Sequence, residues 1–230
     1  MFARAWHATI ALVVLAGLAV QLAIAVDVSA HPPGHAVGTL AGTALAGRIV
    51  RVFSFFTIQS NVLAGIVSAQ LALRPDRDGP VWRVARLDAL VGITVTGIVY
   101  STVLAKIHEP KGWQQVSTNT AFHYVVPVLM VLGWLLLGPR PRVDWSVVRW
   151  SLLWPLLWGA YTVVHGELSN WYPYPFVDVA GHGYARVVSN ALIVTLVLGT
   201  VAVLFGVGDR RLRAAPDPAA VRARRTTMGS

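Results

Sequence analysis

The chain has 230 residues, 55% hydrophobic and 13% charged, with a mean hydropathy of +0.60; a soluble domain carries about 25% charged residues, so the composition indicates an integral membrane protein. It has no cysteine, which excludes disulfides, a thiol nucleophile and thiolate sites for zinc or iron–sulfur clusters. The net charge of +9 does not point to nucleic acid as a partner, because the arginines sit between apolar runs and in the C-terminal tail, where membrane orientation accounts for them.

Six apolar runs approach the ~20 residues a span needs. The first is Ala8–Val26, after Arg4. Val28-Ser29-Ala30 resembles a signal-peptide cleavage site, but the run exceeds the usual signal core of about 7–15 residues, so a retained span is expected. Asp27–Arg51 then forms the first outer connection. His31-Pro32-Pro33-Gly34-His35 within it reads as a turn, and Val37–Gly47, apolar but too short to cross, reads as an interfacial segment. The remaining spans are placed at Val52–Leu73, Leu87–Ala105, Ala121–Leu137, Trp150–Val164 and Val187–Val207. No internal repeat is evident, which gives an inverted-repeat transporter no support.

Orientation follows from the basic residues. With the N-terminus inside, fourteen of the 19 Lys and Arg fall in inner segments, and only Arg48, Arg51, Lys106, Lys111 and Arg186 fall outside. The positive-inside bias therefore predicts an all-α bundle of six transmembrane helices in the plasma membrane, with both termini cytoplasmic. Residues 1–207 form the membrane domain. Residues 208–230 are expected to form a basic, disordered cytoplasmic tail against anionic lipid.

The second run carries a polar stripe. Thr57, Asn61, Ala64 and Ser68 are spaced by four, three and four residues and share one helical face, whereas Ile58, Val62 and Ile66 point elsewhere. Polar groups are costly in a bilayer without partners, so the stripe should face the protein interior. Thr57 should lie about 5 residues, or ~8 Å, below the outer start of its span. His123 should lie at the outer start of the fourth span. Asn119, His123, Met130 and Trp134 form a stripe there, and Pro127 removes the helical partner of the His123 carbonyl, which predicts a kink.

A threonine hydroxyl becomes a useful nucleophile when a base takes its proton, and histidine is the usual base. Thr57 and His123 are thus candidates for a catalytic dyad; otherwise the Thr57 hydroxyl bonds back to the Phe53 carbonyl. Asn119 either orients the histidine, donates to an oxyanion or caps a helix. Asn61 is an oxyanion donor or a bond to another span. His165 and Glu167 either orient His123, bind a metal or are solvated interface residues. Trp171-Tyr172-Pro173-Tyr174-Pro175-Phe176 reads as an interfacial aromatic belt or a lid. Tyr100 and Ser101 line the same cavity or simply pack.

These residues resemble the androgen-induced protein family of six-span membrane hydrolases, and more closely its bacterial relatives. The likeness rests on Phe-Phe-Thr-Ile-Gln-Ser-Asn at 55–61, on Asn119-Thr-Ala-Phe-His123 followed by Pro127, and on Trp171 with Tyr174-Pro175-Phe176. It implies a threonine nucleophile at Thr57, a histidine base at His123, and hydrolysis of fatty-acid esters such as esters of hydroxy fatty acids, without metal or other cofactor. Two departures stand out: one extra residue separates Trp171 from Tyr174, and Thr120 and Ala121 stand near where animal members carry a second histidine. The expectation is a lipid-ester hydrolase with membrane lipids as partners and its site towards the extracytoplasmic side. The alternatives are a metal-dependent hydrolase using His108, His123, His165, Glu167 and His182, and a non-catalytic lipid-binding or transport protein.

Overall fold

The computed structural model describes residues 1–27, 37–140 and 142–212. Of these, 82% are helical and none is in a strand. The helices are α1 (Phe2–Asp27), α2 (Leu45–Ser54), α3 (Phe56–Leu73), α4 (Pro80–Thr102), α5 (Gly112–Thr120), α6 (Val126–Leu137), α7 (Trp145–Trp150), α8 (Leu153–Ser169) and α9 (Val179–Arg211). A π-helical turn, Ala121–Val125, joins α5 to α6 without interruption. Short 3₁₀ turns lie at Leu104–Lys106 and Pro175–Val177.

Six helical stretches are long and apolar enough to cross a membrane: Phe2–Asp27, Phe56–Leu73, Pro80–Lys106, Gly112–Leu137, Trp145–Ser169 and Val179–Arg211. The chain is an all-α bundle of six such spans. About half of α3 and of the α4 span is buried, against 22–33% of the others. These two helices are the centre, and the rest ring them with one face towards lipid.

Several boundaries differ from the sequence expectation. The spans run past the apolar runs into polar flanks, as at Pro80, Gly112 and Val179, because helical hydrogen bonding does not stop where hydrocarbon stops. Asp144 and Asp178 accept from the Val147 and Gly181 N–H groups at 2.9 and 3.0 Å and so start α7 and α9. The second span does not begin at Val52. It begins at Phe56, after an extended Phe55 (φ −68°, ψ 128°) that separates α2 from α3. Residues 37–44 are turn and coil, and the helix beside them is α2. The expected His31–His35 turn and Val28–Ala30 lie outside the described residues, as does the tail beyond 212; α9 itself runs four residues past Val207.

Arginines close the helix ends. Arg4 donates to the carbonyls of Ala72 and Leu73 at 2.7 and 2.6 Å, the open C-terminus of α3. Arg48 does the same for Ala25 and Val26 of α1 at 3.0 and 3.1 Å. Arg86, buried, donates to Gly138 and Pro139 just after α6, both at 2.8 Å. The last carbonyls of a helix have no partner within it, and a guanidinium satisfies two at once while complementing the helix dipole. These contacts also define two ends of the bundle. One gathers Arg4, Arg86 and the loop before α7. The other gathers Arg48, the start of α3 and the π-turn.

Candidate active site

The break at Phe55 creates the site. Because α3 starts at Phe56, Thr57 lies in its first turn rather than inside a continuous helix, and its N–H has no partner in its own helix. That N–H donates to the Tyr174 hydroxyl oxygen at 3.1 Å. The carbonyls before the break are taken elsewhere: Phe53 accepts from Gln59 Nε2 and Ser54 from Trp158 Nε1, both at 2.9 Å. The Thr57 hydroxyl makes no bond back to Phe53. Its partners are Tyr174 Oη at 3.2 Å and His123 Nε2 at 3.4 Å.

Donor counting orients this row. His123 Nδ1 lies 3.1 Å from the Asn119 carbonyl. A carbonyl only accepts, so Nδ1 carries the proton and Nε2 presents a lone pair to Thr57. The Thr57 proton then points to Nε2, and the Tyr174 proton to Thr57 Oγ1. The row reads Tyr174 to Thr57 to His123 to Asn119, each hydroxyl or N–H with one acceptor. The Thr57–His123 distance is about 0.2 Å longer than the usual 2.6–3.2 Å of a proton-transfer pair. Tyr174 is 7% exposed. Burial pushes its phenol above the usual range, opposed by its hydrogen bonds with the Thr57 side chain and backbone, so it stays neutral and able to donate.

The π-turn holds His123. The Val126 N–H reaches back to the Ala121 carbonyl, five residues away, and Pro127 has no N–H. The Phe122 carbonyl is thus left without a helical partner, and Asn61 Nδ2 supplies one at 3.3 Å while also donating to the Thr57 carbonyl at 2.9 Å. Asn61 Nδ2 thus ties the start of α3 to the π-turn, the bond to another span that its position allowed. Asn119 acts on the ring through its carbonyl, not its side-chain amide. Tyr100 stacks on the His123 ring (centroids 3.8 Å apart, planes at 20°) and contacts His108 Nδ1 through its hydroxyl at 3.3 Å. Ser101 bonds only to the Gly97 carbonyl. A methyl group added at Gly97 would stand 3.1 Å from Pro127 Cβ and 3.3 Å from the His123 carbonyl oxygen, so glycine is what lets α4 approach the turn.

The other candidates lie apart from this row. His165 contacts Ser169 at 3.3 Å and the edge of Trp171. Glu167 accepts from Tyr172 and Tyr184 at 3.3 and 2.9 Å, joining the aromatic segment to α9 rather than orienting His123. Trp171 donates to the Thr39 carbonyl at 2.7 Å and carries Arg51 over its ring. The aromatic segment is not an exposed belt: Trp171, Tyr172 and Tyr174 are buried, with Phe55 set edge-on to Trp171 and Tyr174. Tyr172 fills the space at Gly166, where no Cβ would fit. Among the described residues no three His, Asp or Glu side chains converge as metal ligands.

A cavity of about 500 Å³ opens beside Thr57, bounded by α4, α8 and α9. Its wall is almost wholly apolar. Thr57 and Tyr174 line it, whereas His123 lies behind Thr57 and does not. Thr57 thus stands between His123 and an apolar space of the size of small-ligand sites, about 300–1,000 Å³.

Residue patterns alone missed the break at Phe55, Gly97 and Gly166. The break has no Gly or Pro to signal it, and the two glycines matter only through side chains from other helices. No protein-family model, curated protein or solved structure matches the chain.

Proposed function

We propose that this chain is an intramembrane lipid-ester hydrolase with Thr57 as nucleophile and His123 as base. The observation that carries the reading is the ordered row from Tyr174 through Thr57 to the unprotonated Nε2 of His123. Thr57 Oγ1 attacks the ester carbonyl carbon, and its proton passes to His123 Nε2. The bond from carbonyl carbon to alcohol oxygen then breaks, and His123 returns the proton to the departing alkoxide. Water, deprotonated by His123, attacks the acyl-threonine; the proton returns to Thr57 Oγ1 as the acid leaves. As Thr57 Oγ1 bonds to the carbonyl carbon, the Tyr174 hydroxyl turns its one proton from Oγ1 to the oxygen on which negative charge develops, while still accepting the Thr57 N–H at the start of α3. Substrates are fatty-acid esters, such as esters of hydroxy fatty acids, because an apolar cavity adjoins the nucleophile. The excess of arginine at the opposite end supports reading the site as lying in the extracytoplasmic half of the plasma membrane.

The test uses purified protein, ester turnover and covalent labelling by a fluorophosphonate. Thr57→Ala and His123→Ala should each lose turnover and labelling while remaining folded, and Thr57→Ser should keep both. Full activity in either alanine variant rejects the mechanism.

A further inference from the structure

The site already described explains Thr57 and Tyr174 but not the space beyond them. The cavity continues from Thr57 along α4, α8 and α9, past Val95, Trp158, Val163 and Val194. Several residues of its α8 and α9 wall, including Leu156, Val164 and Ala191, are exposed, so protein does not cover the cavity fully on that side. Around spanning helices the uncovered side is hydrocarbon, which makes the gap between α8 and α9 the route to the bilayer.

We propose that this cavity is a slot for one acyl chain of the ester substrate, which slides in from the bilayer between α8 and α9 and presents its carbonyl to Thr57. The proposal rests on the hydrolase reading for the identity of the ester, and on the cavity alone for the chain. A chain leaving lipid for the slot gains little hydrophobic free energy, because both surroundings are apolar. Selection therefore comes from shape: a chain that fits is accepted, and one that outruns the slot is refused. The relevant control is its length and bore, set by small residues on the wall.

Gly159 is such a residue. It lines the cavity, and a Cβ built there meets nothing within 4 Å. Gly159→Leu should fill the slot without disturbing the helices. Gly199, on α9, also has open space around it but is not part of the wall, and Gly199→Leu serves as control. The full chain in nanodiscs would be photolysed with a long-chain fatty-acid ester bearing a terminal diazirine, and the labelled residues located by peptide mass spectrometry. Labelling should fall on Val95, Val163 and Val194, which line the cavity, be displaced by unlabelled ester, drop at least fivefold in Gly159→Leu, and persist in Gly199→Leu and Thr57→Ala. In turnover, Gly159→Leu should lower kcat/KM for long-chain esters about tenfold and spare short-chain ones. Labelling spread over lipid-facing positions such as Leu192 and Leu196, unchanged by Gly159→Leu, overturns the slot. Specific labelling of a wild-type chain that turns over no ester sinks the hydrolase reading while leaving the slot standing.

Discussion

Tyr174 is the residue whose contribution is least evident from chemistry by type. Phenols in an aromatic run near a membrane surface ordinarily serve as anchors. Here the hydroxyl is turned inward, accepts the Thr57 N–H and meets the Thr57 hydroxyl. Tyr174→Phe should therefore keep the fold but lower kcat about 10²–10³-fold, the usual effect of losing one oxyanion donor. KM should change little, and fluorophosphonate labelling of Thr57 should slow in parallel with kcat. A rise in KM alone would assign the hydroxyl to substrate binding instead. The polar stripe was legible at this scale, since Thr57, Asn61, Ala64 and Ser68 are all buried. The individual bonds were not, because a side chain's partner lies on a different helix.

At the scale of elements, the π-turn and the break at Phe55 act together. Each frees a backbone group from its helix: the Thr57 N–H at the break, the Phe122 carbonyl at the turn. Asn61 bridges the two segments, with its Nδ2 on the Thr57 and Phe122 carbonyls. Asn61→Ala should destabilise the protein by about 1 kcal/mol, within the range for polar contacts between spans. Pro127→Ala would restore an N–H that the Phe122 carbonyl can use. Asn61→Ala should thus cost less in that background, and a double-mutant cycle on unfolding in detergent measures the difference. Strictly additive losses would show that Asn61 acts elsewhere. Pro127 signalled a distortion in the sequence, but its form, a π-turn whose freed carbonyl faces α3, depends on a neighbour that only packing supplies.

At the scale of the whole molecule, the end opposite the site is held by buried charge. Asp209, wholly buried on α9, accepts from the Arg142 and Val143 N–H groups at 2.5 and 2.8 Å and so fastens the loop before α7. Asp209→Ala leaves both donors without their acceptor and should cost about 3 kcal/mol by thermal unfolding, with Asp209→Asn milder. Asp78 differs, because its salt bridge to Arg83 at 2.7 Å is about one-third exposed. The Arg83 hydrogen bond, foremost, holds its carboxyl well below the usual range. A depressed carboxylate pKa stabilises the fold above the pKa of the unfolded chain, and that stabilisation is lost as pH falls through the lower, folded value. Exposure limits the gain to below about 1 kcal/mol. Asp78→Asn should therefore narrow the gap in melting temperature between neutral and strongly acid pH only slightly, and a large change would show the pair to be better shielded than its exposure implies.

Composition and the order of the apolar runs are enough to fix the class of the molecule. Six apolar runs, scarce charge and the placement of arginine leave a bundle of spanning helices as the way to satisfy the backbone in hydrocarbon. That inference needs only local composition, since a membrane imposes the same requirement on every segment. Packing between helices sets where α3 begins, which carbonyl Asn61 meets, and that an apolar cavity adjoins Thr57 while His123 stands behind it. Those features arise where one helix yields its own hydrogen bonds to another, and neither partner's sequence records the exchange.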